Sequence, residues 1–466
     1  MRMISDQVSL KEKIGYGFGD AASSMFWKLF GMYLMFFYTD VFGMEAKVVG
    51  TMFFVTRVWD SFLDPIVGII ADRTKSKWGK FRPYLLYAAF PFGVIGVFTF
   101  YTPSFGDSGK IIYAYLTYSL MMIVYSFINV PYAALLGVMS ASPKVRNVLA
   151  TYRMSFAYLG SFVTLLLFNP LVSYFANNNL SGNDQEYGWR IAVMVIAFIS
   201  VLLFILCFLW TKERVFSDSD HTGALKEDLK NLLRNKPWWI LTGAGIFTLA
   251  FNSVRDGAAL YYFKYYVEEG SYNQIQIFQI PFVLSGLYFS LGQLANLLGV
   301  ILAAPICNQI GKKNTFMISM VVACMASIVF YWIPNHGVFE IFILQLIISF
   351  CAGSVFPLLW SMYADCVDYS EIRTGRRATG LIFSSSSMSQ KLGWAFGSAL
   401  TGWLLGYYGF QANQAQSVET LSGIRMFLSF FPAIGAFVSA VFIFFYPLNE
   451  NRVNRITQLL NRKNSI

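Results

Sequence analysis

The chain has 466 residues, of which 56% are hydrophobic, 18% aromatic and only 13% charged, with a mean hydropathy of +0.52. A soluble chain carries roughly 25% charge, so this one lacks the polar surface to cover a globule and a membrane protein is implied. The formal charge of +10 comes from short basic clusters between long apolar runs, a placement that suits membrane topology and argues against a nucleic-acid partner.

The polar amino terminus, MRMISDQVSLKEK, precedes a first apolar run at 18–39 that is too long for a signal-peptide core and lacks a small-residue cleavage site, so it is expected to be a retained span. Further runs of the roughly 20 residues that cross the hydrocarbon lie at 46–71, 83–102, 111–138, 147–175, 189–211, 237–266, 279–310, 314–333, 338–363, 378–408 and 424–447. The reading is an all-α membrane protein of twelve transmembrane helices in two pseudo-symmetric six-helix bundles, at 1–211 and 237–447, joined by a cytoplasmic loop at 212–236 and followed by a tail at 448–466. The stretches GIIADRTKSKWGKFRP after the second span and APICNQIGKKN after the eighth echo each other, as a repeat of the halves requires.

Of the Lys and Arg residues, 25 fall on the side of the chain termini, and three, Lys47, Lys110 and Arg190, on the other. Both termini are therefore expected in the cytoplasm. The opposite loops, such as NNNLSGNDQEYG, are polar, poor in basic residues and free of paired cysteines, which suits a bacterial inner membrane facing a periplasm. The five cysteines form no CxxC and both histidines fall in loops, so a resident metal, a cofactor and histidine-based catalysis have no support. Without a Ser/His/Asp set or a phosphate loop, the chain does not read as an enzyme.

The seven remaining bases, Lys28, Arg57, Arg153, Arg255, Lys264, Lys391 and Arg425, lie within spans. Each costs about 2.5–3.5 kcal/mol on insertion scales unless it finds a partner, a cavity or the interface. Lys264 and Arg425 stand near span ends and are expected to reach the interface; the other five are candidates for function or ion pairing. The acids are Asp20, Asp60, Asp64 and Asp256. In VTRVWDSFLDP, Asp60 and Asp64 stand four apart and share one helix face. Two carboxylates in a low dielectric resist simultaneous ionisation, so a proton or a cation is expected on the pair. The alternative is an Arg57–Asp60 pair with Asp64 bonded to a neighbouring helix.

Three stretches make the chain resemble the glycoside–pentoside–hexuronide:cation symporters, the branch of the major facilitator superfamily that includes melibiose permease. They are YGFGD with YLMFFYTDVFG in the first span, RVWDSFLDPIVGIIADRTKSKWGKFRPY in the second, and INVPYAALLG closing the fourth. ADCVDYSEIRTGRRATGLIFSSSSMSQKLG around the eleventh adds support. The resemblance covers essentially the full length and implies symport of a sugar by alternating access, with H+ or Na+ as coupling ion. It places the cation on Asp60 and Asp64 with Ser126, the span-eleven lysine linking the two sites on Lys391, and the sugar-side arginine on Arg153.

The departures bear on specificity. Ser23–Ser24 replace the Lys-Asp pair of melibiose permease, Asn129 replaces its span-four aspartate, and Ala133 replaces a tryptophan. With acids removed and Lys28, Arg153, Lys391 and Arg255 kept, an acidic sugar is expected, its carboxylate supplying the missing charge. Neutral glycosides stay open, because Asn129, Ser126, Tyr125, Tyr33 and Gln390 can bond neutral hydroxyls, and Ser24 is a further substrate-site candidate. The residue between the two acids that supplies an amide oxygen in melibiose permease is Leu63 here, and losing a ligand hurts sodium more than a proton, so proton coupling is favoured with sodium as the alternative. The reading also expects Asp72, Arg73, Arg146, Glu371 and Arg373 to form cytoplasmic ion pairs in an outward-open state, and a chain that works as a monomer in the bilayer. A lysolipid-type substrate is a further alternative.

Overall fold

The computed structural model describes residues 8–140, 142–178, 184–214, 230–268, 274–277, 280–375 and 379–464. Most of the middle loop and the side chains of Asp72, Arg376 and Arg377 lie outside the described residues.

The helices follow the apolar runs closely. We label α1 (10–41), α2 (Ala46–Arg73), α3 (82–99), α4 (Asp107–Met139), α5 (Pro143–Asn177), α6 (Gln185–Trp210), α7 (236–267), α8 (Leu284–Ile310), α9 (Lys312–Phe330), α10 (Val338–Thr374), α11 (Thr379–Tyr407), α12 (418–444) and α13 (Glu450–Asn464). The first twelve occupy the expected spans. Among the described residues, seven helices are long and apolar enough to cross a membrane by length and composition. Helices α1, α2, α7 and α11, which carry the polar groups described below, are not in that set, and neither is α3, which is interrupted at Ala88.

Local signals account for the main irregularities. Ser9 caps α1, its hydroxyl receiving the Glu12 amide while the Glu12 carboxylate receives the Ser9 amide, so two orphan donors are satisfied together. Span eight starts later than expected: Gln274–Ile277 (β1) pairs antiparallel with Ile280–Val283 (β2), and the helix begins only at Leu284. The alternating QIQI pattern favours extended chain there, and Pro281 is a poor helix interior residue. Both α1 and α7, the first helix of each half, widen into π turns near the end away from the termini, at Phe37–Val41 and Tyr262–Val267.

Helices α1–α6 pack among themselves, as do α7–α12, and the halves meet chiefly along α2–α11 and α5–α8. Close approach of α2 to α11 depends on missing side chains: a Cβ on Gly50 would lie 2.9 Å from the Ala399 carbonyl oxygen. The outward face of α2 exposes Phe62, Ile66, Ile69 and Ile70, whereas Arg57 and Asp60 are buried. That inversion of the soluble pattern, apolar outside and charged inside, is what a lipid solvent selects.

Contacts that join the halves gather at the end opposite the termini. There the Lys264 ammonium of α7 lies 2.7 Å from the Asp40 carboxylate of α1. The Tyr265 hydroxyl donates to the same carboxylate, Asn413 donates to the Asp40 carbonyl at 2.7 Å, and Thr39 bonds Tyr261 at 2.7 Å. Lys264 therefore pairs across the halves, with its side chain 36% exposed. Arg425 stacks on Tyr331 and donates to its carbonyl.

Candidate functional site

The α2–α11 seam leads from Gly50 to Asp60 and Asp64, which the helical repeat sets one turn apart on the same side of α2. Pro65 follows at once; it has no N–H for the Ser61 carbonyl, which loosens the helix beside the carboxylates. From α4, the Ser126 hydroxyl lies 3.0 Å from Asp60 Oδ1 and 2.9 Å from Asp64 Oδ1. From α11, in the other half, Lys391 Nζ lies 2.9 Å from Asp60 Oδ2 and 2.7 Å from Asp64 Oδ2. Side-chain exposure is 7% for Asp60, 25% for Asp64 and 19% for Lys391. The structure thus brings together the four residues expected to hold and sense the coupling ion. The lysine ammonium lies between the two carboxylates and bonds both.

Arg57 does not pair with Asp60. Its Nε donates to the Tyr118 hydroxyl at 2.9 Å, and its guanidinium lies over the Trp27 ring at 5.5 Å. Asp60 is held by Ser126 and Lys391 instead, so the intrahelical alternative is not the pairing that forms.

One turn along α4, Asn129 and Tyr125 form a second polar cluster. The Ser23 hydroxyl donates to Asn129 Oδ1 at 2.5 Å, and Asn129 Nδ2 donates to the Tyr125 carbonyl at 3.0 Å. The Tyr125 ring packs on Trp27, centroid to centroid 5.4 Å. Ser23 is buried and Ser24 half-buried, so of the two serines it is Ser23 that reaches Asn129. Arg153 of α5 meets Asp20 of α1 at 3.0 Å and lies over the Tyr132 ring at 5.1 Å.

Toward the centre, Lys28 Nζ of α1 stands 3.9 Å from Asp256 Oδ2 of α7. Both line a cavity of about 50 Å³ that Asn252, Arg255, Asn296 and Trp394 also border. Arg255 is anchored within its own half, its guanidinium donating to the Leu428 carbonyl at 2.7 Å, the Tyr288 hydroxyl at 2.7 Å and Gln345 Oε1 at 2.8 Å. Trp27 and Trp394 meet edge to face across the halves at 5.8 Å.

The expectation of an acidic ligand rested on unpaired bases. Arg153 has Asp20, Lys28 has Asp256, Lys391 has both span-two acids, and Arg255 is held by neutral oxygens in its own half. Sequence reasoning noted Asp20 and Asp256 without assigning them partners, and passed over the uncharged amides Asn252, Gln293, Asn296 and Gln345. A usable signal was present: each is a polar side chain inside a span that must find a partner or a cavity.

Among the described residues, no group of three or more His, Cys, Asp or Glu is placed to hold a metal ion. The polar groups instead form donor and acceptor pairs distributed over both halves, an arrangement suited to a hydroxylated solute and to one small cation.

Comparison with known proteins is consistent along the whole length. The family model described as MFS/sugar transport protein matches residues 15–450. The chain is 35% identical over 460 residues to the inner membrane symporter YicJ of Escherichia coli (strain K12), covering 98% of this chain and 96% of that protein. It is 34% identical over 447 residues to the isoprimeverose transporter of Lactiplantibacillus pentosus, covering 96% and 90%. Its fold matches the inward-open xylose transporter XylE from E. coli with a TM-score of 0.64 at 13% identity, covering 97% of this chain and 98% of that one.

Proposed function

The chain belongs to the MFS/sugar transport protein family, and on that premise we propose that it is a cation-coupled sugar symporter working by alternating access. Asp60, Asp64 and Ser126 hold the coupling ion, and the sugar binds between the halves beside Tyr125, Asn129, Arg153 and Lys28. One observation carries the reading. The Lys391 ammonium, from the opposite half, bridges both carboxylates where the ion would sit.

A coupling ion entering this site competes with Lys391 for the carboxylates and weakens its hold on them, so ion binding and the relation between the halves are linked. A proton needs only a single carboxylate, whereas sodium needs several oxygen ligands. Leu63 supplies none, and this supports proton coupling. The pairing of Arg153 and Lys28 with acids favours a neutral glycoside, whose hydroxyls can use both members of each pair. The release of Lys391 on ion binding is the specific feature that supports an acidic sugar as a second reading.

The basic clusters support cytoplasmic termini in a bacterial inner membrane. The Asp40–Lys264 contacts then lie on the periplasmic side, and the arrangement is one closed toward the periplasm. Arg373, one of the residues expected in a cytoplasmic lock, donates to the Arg234 carbonyl of its own half at 3.1 Å. The complete site lies within one chain, which supports a working monomer.

The test is uptake into sodium-free, right-side-out vesicles under an inward proton gradient, offering p-nitrophenyl α- and β-glycosides of xylose, glucose and galactose alongside p-nitrophenyl glucuronide. Wild type should accumulate a neutral glycoside, and Asp60→Asn should abolish accumulation. Accumulation of the glucuronide alone would establish the second reading. Accumulation only with sodium would reverse the choice of ion. Unchanged accumulation by Asp60→Asn would overturn the assigned ion site.

A further inference from the structure

Among the described residues, three sets of acids face bases inside the membrane part of the site, and one set differs from the others. Arg153–Asp20 and Lys391 with Asp60 and Asp64 are in direct contact, at 2.7–3.0 Å. Lys28 and Asp256 stand 3.9 Å apart, beyond the range of a hydrogen bond. Both remain accessible, with side-chain exposures of 17% and 21%, and both line the same central cavity.

We infer that Lys28 and Asp256 form a glycoside subsite across the two halves, in which one sugar hydroxyl accepts from the Lys28 ammonium and donates to the Asp256 carboxylate. This rests on the proposed sugar transport and names a contact within it. The separation suits the role. A hydroxyl oxygen placed roughly 2.8 Å from each group would subtend an angle of about 90°, which a single hydroxyl can serve with one lone pair and its own proton.

The surroundings add to the argument. Asn252 stands one turn before Asp256 on α7 and borders the cavity; its Nδ2 donates to the Thr248 carbonyl at 3.0 Å, leaving its side-chain oxygen as an acceptor. Trp394 lines the same cavity, and Trp27 adjoins Lys28, so indole faces are available to the apolar face of a pyranose ring. The cavity, about 50 Å³, takes the hydroxyl edge of a sugar and not the ring, compared with the ~300–1,000 Å³ of whole-ligand sites. The ring itself lies toward Trp27, Tyr125 and Asn129.

The chemistry also answers a question raised by the sequence. Ser23, Ser24 and Asn129 leave the first and fourth spans without the carboxylates that accept sugar hydroxyls. Asp256 supplies that acceptor from the other half. Because Lys28 belongs to α1 and Asp256 to α7, a hydroxyl held by both draws the halves together, so the solute promotes its own enclosure.

The experiment measures equilibrium binding to purified protein, using the p-nitrophenyl glycoside that wild type accumulates best and its monodeoxy analogues. Wild type should discriminate strongly against one analogue. Asp256→Asn should bind the parent about 10- to 100-fold more weakly and bind that one deoxy analogue almost as well as wild type does. Lys28→Gln should weaken the same hydroxyl selectively, and gel filtration of both variants checks their fold. Parent affinity unchanged in Asp256→Asn, or an equal loss for every analogue, would mean a purely structural pair and overturn the inference alone. If wild type binds no sugar of the panel, the sugar reading fails and takes this inference with it.

Discussion

Removing the Lys391 ammonium tests the ion site from the opposite half. In Lys391→Ala, two carboxylates bonded to one Ser126 hydroxyl lose the charge that lies 2.7 and 2.9 Å away. Breaking a fully buried pair costs about 3–5 kcal/mol. With Asp64 a quarter exposed, we discount this to about 1.5–3 kcal/mol, which the variant can recover by holding its coupling ion more tightly. At 1.4 kcal/mol per tenfold, ion affinity should rise by about 10- to 150-fold. An ion held that tightly is not released on the inner side, so the carrier is trapped in loaded forms. The assay compares net accumulation under an ion gradient with exchange of labelled for unlabelled sugar at equal ion concentrations on both sides. Net accumulation should collapse and exchange should persist. Equal loss of both would mean that Lys391 is needed for sugar binding itself, and unchanged accumulation would mean that it does not compete with the ion; either result refutes the displacement argument.

Two further predictions follow from pairings specific to this chain. Asp20→Asn removes the charge that neutralises Arg153 at 3.0 Å; the freed guanidinium should raise the uptake of p-nitrophenyl glucuronide relative to the neutral glycoside by about 10-fold, the scale of one charge-assisted hydrogen bond, and an unchanged ratio would remove Arg153 from the sugar's surroundings. Asp40→Ala breaks the contacts to Lys264, Tyr265 and Asn413 that hold the halves together at the end away from the termini, so a single cysteine introduced at position 47 should react with an external thiol reagent about 10-fold faster; an unaltered rate would show that these bonds do not set the equilibrium between states.

What the sequence revealed and what it concealed divide along a physical line. A span needs about 20 apolar residues wherever it goes, so the helices were legible, except where QIQI and Pro281 turned the start of the eighth run into a hairpin. Asp60 and Asp64 were legible because two acids four apart in a lipid-spanning helix demand an explanation that local geometry supplies. The partners of the bases were not. Arg57, three residues before Asp60, turns instead to Tyr118 on α4, and Lys264, expected to reach solvent, pairs with Asp40 in the other half. Such choices depend on how each helix is rotated and how deeply it crosses its neighbours, which hydrophobic periodicity leaves undetermined when charges occupy the buried face. The pairing of Asp20 with Arg153 and of Asp256 with Lys28 was not legible for the same reason.

Those pairings also explain how a carrier of this design can avoid moving one solute alone. Among the described residues, three ionic contacts join the halves: Lys391 with Asp60 and Asp64, Lys28 with Asp256, and Lys264 with Asp40. In the proposed cycle the coupling ion replaces Lys391 at the first, and a sugar hydroxyl spans the second. With the ion alone bound, Lys391 loses its hold on the carboxylates in a low-dielectric seam, a state that opposes closure. In the doubly loaded form the sugar offers the released ammonium a new hydroxyl acceptor, and in the empty form the lysine resumes its place, so both leave the seam charges partnered. Movement of the ion without sugar is then opposed by the cost of an unpartnered ammonium.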